Sequence, residues 1–117
     1  MNLIDTHAHI YAEEFKDDLA EVVLRAQKAG VRKILLPNID EFTITDLKNC
    51  VLNYPDLFIR MMGLHPTSVT TDWKQQLDII YNELNSSGYI AVGEIGIDLH
   101  WDKSLEKEQT DAFEEQL

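Results

Sequence analysis

At 117 residues, with 44% hydrophobic and 26% charged, the chain has the size and composition of one ordinary globular domain with a modest core. A formal net charge of −11 argues against a sequence-reading nucleic-acid binder, which carries a basic face. It does not argue against an enzyme acting on phosphate esters, because bound metal ions can dominate the local charge.

The elements follow in chain order. Leu3 to Thr6 is a short apolar run and a first strand. Phe15, Leu19, Val22, Val23 and Ala26 recur at helical spacing, and Gly30 supplies the stop. A second strand is expected over Val31 to Leu36, closed by Pro37, and a second helix carries Leu47, Cys50, Val51 and Tyr54 before Pro55. Leu57 to Leu64 is the third strand, and Trp73, Leu77, Ile80, Tyr81 and Leu84 mark the third helix. After the turn at Ser86, Ser87 and Gly88 comes a fourth strand, Tyr89 to Glu94. A fourth helix starts near Leu105 with Gln109, Ala112, Phe113 and Gln116 on one face.

Four βα units predict an α/β fold with a parallel sheet. Four units in this length are half of an eightfold (β/α)-barrel of roughly 250 residues. An open doubly wound sheet has the same periodicity and stays a structural alternative.

Three groups of chemistry-bearing residues fall at predicted C-terminal strand ends, where such folds place their sites. Asp5, His7 and His9 alternate along one strand end and so share a side. Glu94 ends the fourth strand within Gly93-Glu94-Ile95-Gly96-Ile97-Asp98, where glycines permit close approach. His65 ends the third strand in Gly63-Leu64-His65-Pro66. Each has a plainer explanation: His9 as a loop residue, His7 as a satisfied core histidine, Glu94 as a helix start, His65 as a strand end. Their meeting at one rim favours His7, His9 and Glu94 as ligands of a divalent metal. Asp5 is a candidate to steady the histidines from behind. Asp98 reads as a turn cap ahead of any ligand role, His100 beside Trp101 as a surface residue, and Cys50 as core packing.

No apolar run nears the ~18 residues of a membrane span. MNLIDTHAHI lacks the basic and long apolar regions of a secretory signal, and a single cysteine leaves no internal disulfide. A cytoplasmic protein with no membrane partner is expected.

DTHAH at 5–9, GLHP at 63–66, GEIGID at 93–98 and EQTDAFEEQL at 108–117, in this order and spacing, resemble the TatD family of metal-dependent deoxyribonucleases. That family belongs to the amidohydrolase-like (β/α)-barrel superfamily. The resemblance covers the whole chain, and GEIGID followed by the QxxxFxxQL helix is its specific part; DTHxH alone indicates only the superfamily. It implies two divalent ions at the barrel rim, Mg²⁺ in function with Zn²⁺, Mn²⁺ or Ni²⁺ as alternatives. By it, His7 and His9 hold one ion, Glu94 bridges both and acts in catalysis, and His65 is the catalytic histidine near the scissile phosphate. The implied activity is phosphodiester hydrolysis at DNA ends, 3′ to 5′, with RNA also within reach.

The sequence departs from the family pattern by stopping early. The family's two later histidines and its last-strand aspartate have no counterpart. Residues 1–117 are therefore expected to be the N-terminal half of a TIM-type (β/α)8 barrel, inactive alone, that pairs with a complementary C-terminal half or with itself. A small-molecule amidohydrolase or esterase and a non-catalytic truncated fragment are the other functional readings.

Overall fold

The computed structural model describes residues 1–117. Its elements are β1 (Leu3–Asp5), α1 (Leu19–Lys28), β2 (Val31–Leu36), α2 (Ile44–Asn53), β3 (Phe58–Met62), α3 (Trp73–Leu84), β4 (Tyr89–Val92) and α4 (Glu106–Gln116). α1 stops where Gly30, at φ 94°, takes the left-handed conformation that closes a helix and turns the chain into β2. α2 is entered through a capping box: the Asp40 carboxylate accepts from the Phe42 and Thr43 amides, while Thr43 returns a bond to the Asp40 amide.

The strands form one parallel sheet in the order β1-β2-β3-β4. Pairing places Asp5 beside Ile34, Ile34 beside Phe58 and Met62 beside Val92. The order never reverses. Right-handed crossovers between sequential parallel strands leave every helix on one face, as in a barrel wall. A doubly wound sheet reverses its strand order, so that alternative falls.

Ile34 and Leu36 of β2 and Phe58 of β3 bury themselves with Val23 of α1 and with Leu47 and Cys50 of α2. Met62 of β3 joins Leu77 and Ile80 of α3 and Ala112 of α4 in a second cluster. By strand alternation Leu35, Ile59 and Met61 point to the opposite face, which no helix covers. No helix is long and apolar enough to cross a membrane.

The expected strands are all present, but the first, third and fourth are shorter than the apolar runs that announced them. They stop at Asp5, Met62 and Val92 because the chain there leaves the ladder for the rim. The stripe beginning at Phe15 is also not one helix. Phe15 closes a 3₁₀ turn over Glu13–Phe15 and still packs on the first core cluster, and the α-helix begins at Leu19 after Asp18. Two adjacent aspartates suit a helix boundary better than its interior.

Candidate metal centre

β1 ends at Asp5, yet the chain stays extended beyond it because the Ala8 amide donates to the Leu35 carbonyl at 3.1 Å. His7 and His9 flank Ala8, so both rings leave on the same side. The Asp5 carboxylate accepts from the His7 backbone amide at 3.0 Å. It steadies the backbone beneath the histidines rather than a ring.

Glu94 lies two residues past β4, held through backbone. The Gly93 amide donates to the Met62 carbonyl, the Asn38 amide to the Gly93 carbonyl, and the Glu94 amide to the Asn38 carbonyl, at 3.0, 3.1 and 3.2 Å. Of the glycines beside Glu94, Gly93 is approached closely, a Cβ there standing 2.6 Å from Met61 Cε, and Gly63 makes the matching backbone approach from β3's end. A Cβ on Gly63 would stand 2.8 Å from the Gly93 carbonyl carbon and 3.0 Å from the Glu94 oxygen, whereas one on Gly96 would meet nothing. Any side chain at 63 would push Glu94 off the rim.

Three ligand atoms converge there. Glu94 Oε2 is 2.9 Å from His7 Nε2 and 3.1 Å from His9 Nε2, and the two nitrogens are 3.2 Å apart. Two ligands at right angles around an ion, each at ~2.1 Å, stand about 3.0 Å apart. The triangle therefore has the size of one face of a coordination sphere, and two imidazoles with a carboxylate suit a divalent transition ion or Mg²⁺. Burial holds His9 below the ordinary histidine pKa of 6.5, against the opposing pull of Glu94. That favours the neutral imidazole, the form that binds metal.

His65 sits against the other oxygen, with Nε2 3.2 Å from Glu94 Oε1. It is the N-cap of the 3₁₀ turn Pro66–Ser68, and its Nδ1 accepts from the Thr67 amide at 3.1 Å. An amide can only donate, so the ring hydrogen belongs on Nε2, facing Glu94. The two carboxylate oxygens thus face different partners, His7 and His9 on one side and His65 on the other.

Two residues that build this rim, Asn38 and Tyr11, escaped the sequence reading. Asn38 is fully buried; it donates to the Asp40 and Gly63 carbonyls and accepts from Thr43. Tyr11 is buried with its hydroxyl 3.0 Å from His9 Nδ1. The alternation that carries His7 and His9 runs on to Tyr11, which was the available signal. In α4, Gln109 holds the Asp98 backbone through two hydrogen bonds and Gln116 accepts from the Leu64 amide, one residue before His65. The Asp98 side chain caps a turn by accepting from the His100 amide. His100 and Trp101 are exposed, edge to face with each other. Cys50 is core, its thiol pushed up to about 11 by burial.

Residues 4–117 match the family described as TatD related DNase. The chain is 35% identical over 115 residues to YabD of Bacillus subtilis, named an uncharacterized metal-dependent hydrolase, covering 98% of this chain and 45% of that protein. It is 28% identical over 116 residues to the 3′-5′ ssDNA/RNA exonuclease TatD of Pectobacterium parmentieri, covering 98% of this chain and 44% of that one. The crystal structure of the TatD homologue YjjV of Escherichia coli superposes with a TM-score of 0.84 at 29% identity, over 97% of this chain and 44% of that one. The chain spans less than half the length of these relatives, and its sheet matches the first half of their barrel.

Proposed function

The chain belongs to the TatD-related DNase family, and from that premise we propose that it forms the His7/His9/Glu94 wall of a two-metal phosphodiesterase acting on DNA or RNA ends, 3′ to 5′. The observation that carries this is the triangle of His7 Nε2, His9 Nε2 and Glu94 Oε2, no side longer than 3.2 Å. The exonuclease name of the Pectobacterium relative supports the substrate class.

Divalent ions, Mg²⁺ by family resemblance, supply Lewis-acid charge that acidifies water and offsets charge on a phosphate. His7 and His9 would hold such an ion through Nε2, with Glu94 as the carboxylate ligand beside them. His65, with its ring hydrogen on Nε2, would donate to a non-bridging phosphate oxygen as charge builds there. The groups that complete the coordination and take the proton from water lie outside these 117 residues, so the chain alone turns over poorly. Its complement is a second set of four βα units. A buried, free Cys50 suits a reducing cytoplasm.

A second reading is hydrolysis of an ester or C–N bond in a small molecule. The net charge of −11 favours it, because a long anionic strand meets more repulsion than a small substrate. Metal analysis with 3′- and 5′-labelled strands tests the choice, using a chain of the relatives' length that carries these residues. Release of the 3′ label that EDTA abolishes is expected. Intact strands alongside EDTA-sensitive hydrolysis of small esters or amides would establish the second reading.

A further inference from the structure

His9 faces the metal-sized triangle with one ring nitrogen and Tyr11 with the other. The Tyr11 hydroxyl donates to the Pro37 carbonyl across 2.5 Å, and a carbonyl can only accept. The single hydroxyl hydrogen is therefore committed. What the Tyr11 oxygen turns toward His9 Nδ1, 3.0 Å away, is a lone pair. Two lone pairs cannot make that contact, so Nδ1 carries the hydrogen. In a neutral imidazole Nε2 is then bare; beside Glu94 Oε2 and His7 Nε2 it meets other lone pairs, a contact that a cation among the three atoms would reconcile.

We propose that Tyr11 is a positioning residue that holds His9 as the Nδ1–H tautomer and keeps Nε2 open for a divalent cation. The inference rests on the reading of His7, His9 and Glu94 as a metal centre. Packing alone gives no reason for the hydroxyl, since phenylalanine would fill the same place in the core cluster that holds Ile10 and Leu36. The hydroxyl joins the end of β2, at Pro37, to the ring that meets the ion. A hydrogen-bonded ligand histidine is fixed in rotation and is more basic at its free nitrogen. His7, half exposed, has no such partner on its other ring nitrogen. His9 is thus the preset ligand and His7 the adjustable one.

Long-range ¹⁵N–¹H correlation spectra of the metal-free protein read the tautomer, and titration with Mn²⁺ reads the consequence. The expected spectrum has His9 Nδ1 protonated and Nε2 bare. Tyr11→Phe is expected to mix the tautomers and weaken Mn²⁺ binding 10- to 100-fold. Val23→Ala, a cavity in the same core cluster on α1, is expected to leave Mn²⁺ affinity unchanged. An Nε2–H tautomer in the wild type, or Tyr11→Phe binding Mn²⁺ as the wild type does, overturns the proposal. Should Tyr11→Phe fail to fold, the wild-type tautomer decides. A wild type without Mn²⁺ affinity sinks the metal centre and Tyr11's role with it, whereas failure of the Tyr11 proposal alone leaves wild-type binding intact.

Discussion

Glu94 turns its two oxygens to two sets of neighbours, and the predictions for the residues around it separate accordingly. His9 faces Oε2 inside the triangle, and His65 faces Oε1 outside it. His9→Ala is therefore expected to cost most of the affinity for a divalent ion. His65→Ala is expected to leave that affinity nearly intact while lowering kcat in a chain of the relatives' length. Calorimetric titration beside single-turnover kinetics checks the split; loss of metal with an unchanged intrinsic rate would reverse the assignment of His65. Asn38 carries the rim differently. It is wholly buried, and its side chain makes three hydrogen bonds to groups at the ends of β2 and β3. Asn38→Ala leaves those partners unsatisfied in a dry site, at about 3 kcal/mol. Urea unfolding measures it, and a loss below about 1 kcal/mol would mean that water replaces the amide.

Between elements, polar side chains do the joining where apolar faces are short. Gln109 and Gln116 lie seven residues apart, hence on one face of α4, and reach the loop after β4 and the segment leading to His65. At the opposite end of the sheet, Glu83 of α3 accepts from Lys48 of α2 at 2.8 Å and from Tyr89 of β4 at 2.7 Å. These bonds, Lys48 first and Tyr89 second, hold its carboxyl below the ordinary 4.5. A folded-state pKa below the unfolded one adds stability at pH values above the unfolded pKa, and that stability is lost as pH falls through the folded value. Glu83→Gln should accordingly lose about 1 kcal/mol near neutral pH, for a pair that is only partly shielded. The deficit should shrink below pH 4.5. Equal differences from wild type at pH 7 and in the acid range would exclude ionic tethering by Glu83.

The whole molecule exposes 7350 Å² and has a Cα radius of gyration of 15.0 Å. A globular chain of 13.5 kDa is expected to expose about 6500 Å² and to have a radius near 13.4 Å. The difference in area is roughly what one partner contributes to a standard interface. Its sources are identifiable. β1 pairs only with β2 and β4 only with β3, so each leaves a row of free backbone groups. Ile4 and Ile90 on those edge strands are each 62% exposed. A groove of about 710 Å³ lies open between α3, Val92 of β4 and the end of α4. Apolar edges of this kind associate, and a charge of −11 slows that association without abolishing it. The protein is expected to sediment as an assembly, or to be monomeric only with a complementary half bound. Sedimentation equilibrium showing a monodisperse, cooperatively unfolding monomer at high concentration would refute this.

Local spacing determined much of this molecule. Two-residue alternation put His7 and His9 on one side, the apolar run closed by Pro37 and the run from Leu57 to Leu64 located β2 and β3, and the GEIGID segment with the glutamine helix carried the family. These signals are legible because strand and helix periods are set by the backbone within a few residues. What the sequence left open turned on partners far along the chain. Strand order, which excluded the doubly wound sheet, depends on which edges pair. Tyr11 acquires its role only against Pro37, Asn38 only between Gly63 and Glu94, and the two oxygens of Glu94 are told apart only by histidines that precede them by 29 and more residues. A hydrogen bond needs a donor and an acceptor brought within about 3 Å, and no sequence interval encodes that distance. The tertiary fold decides it, because packing the helices on one face of the sheet is what brings the strand ends to a common rim.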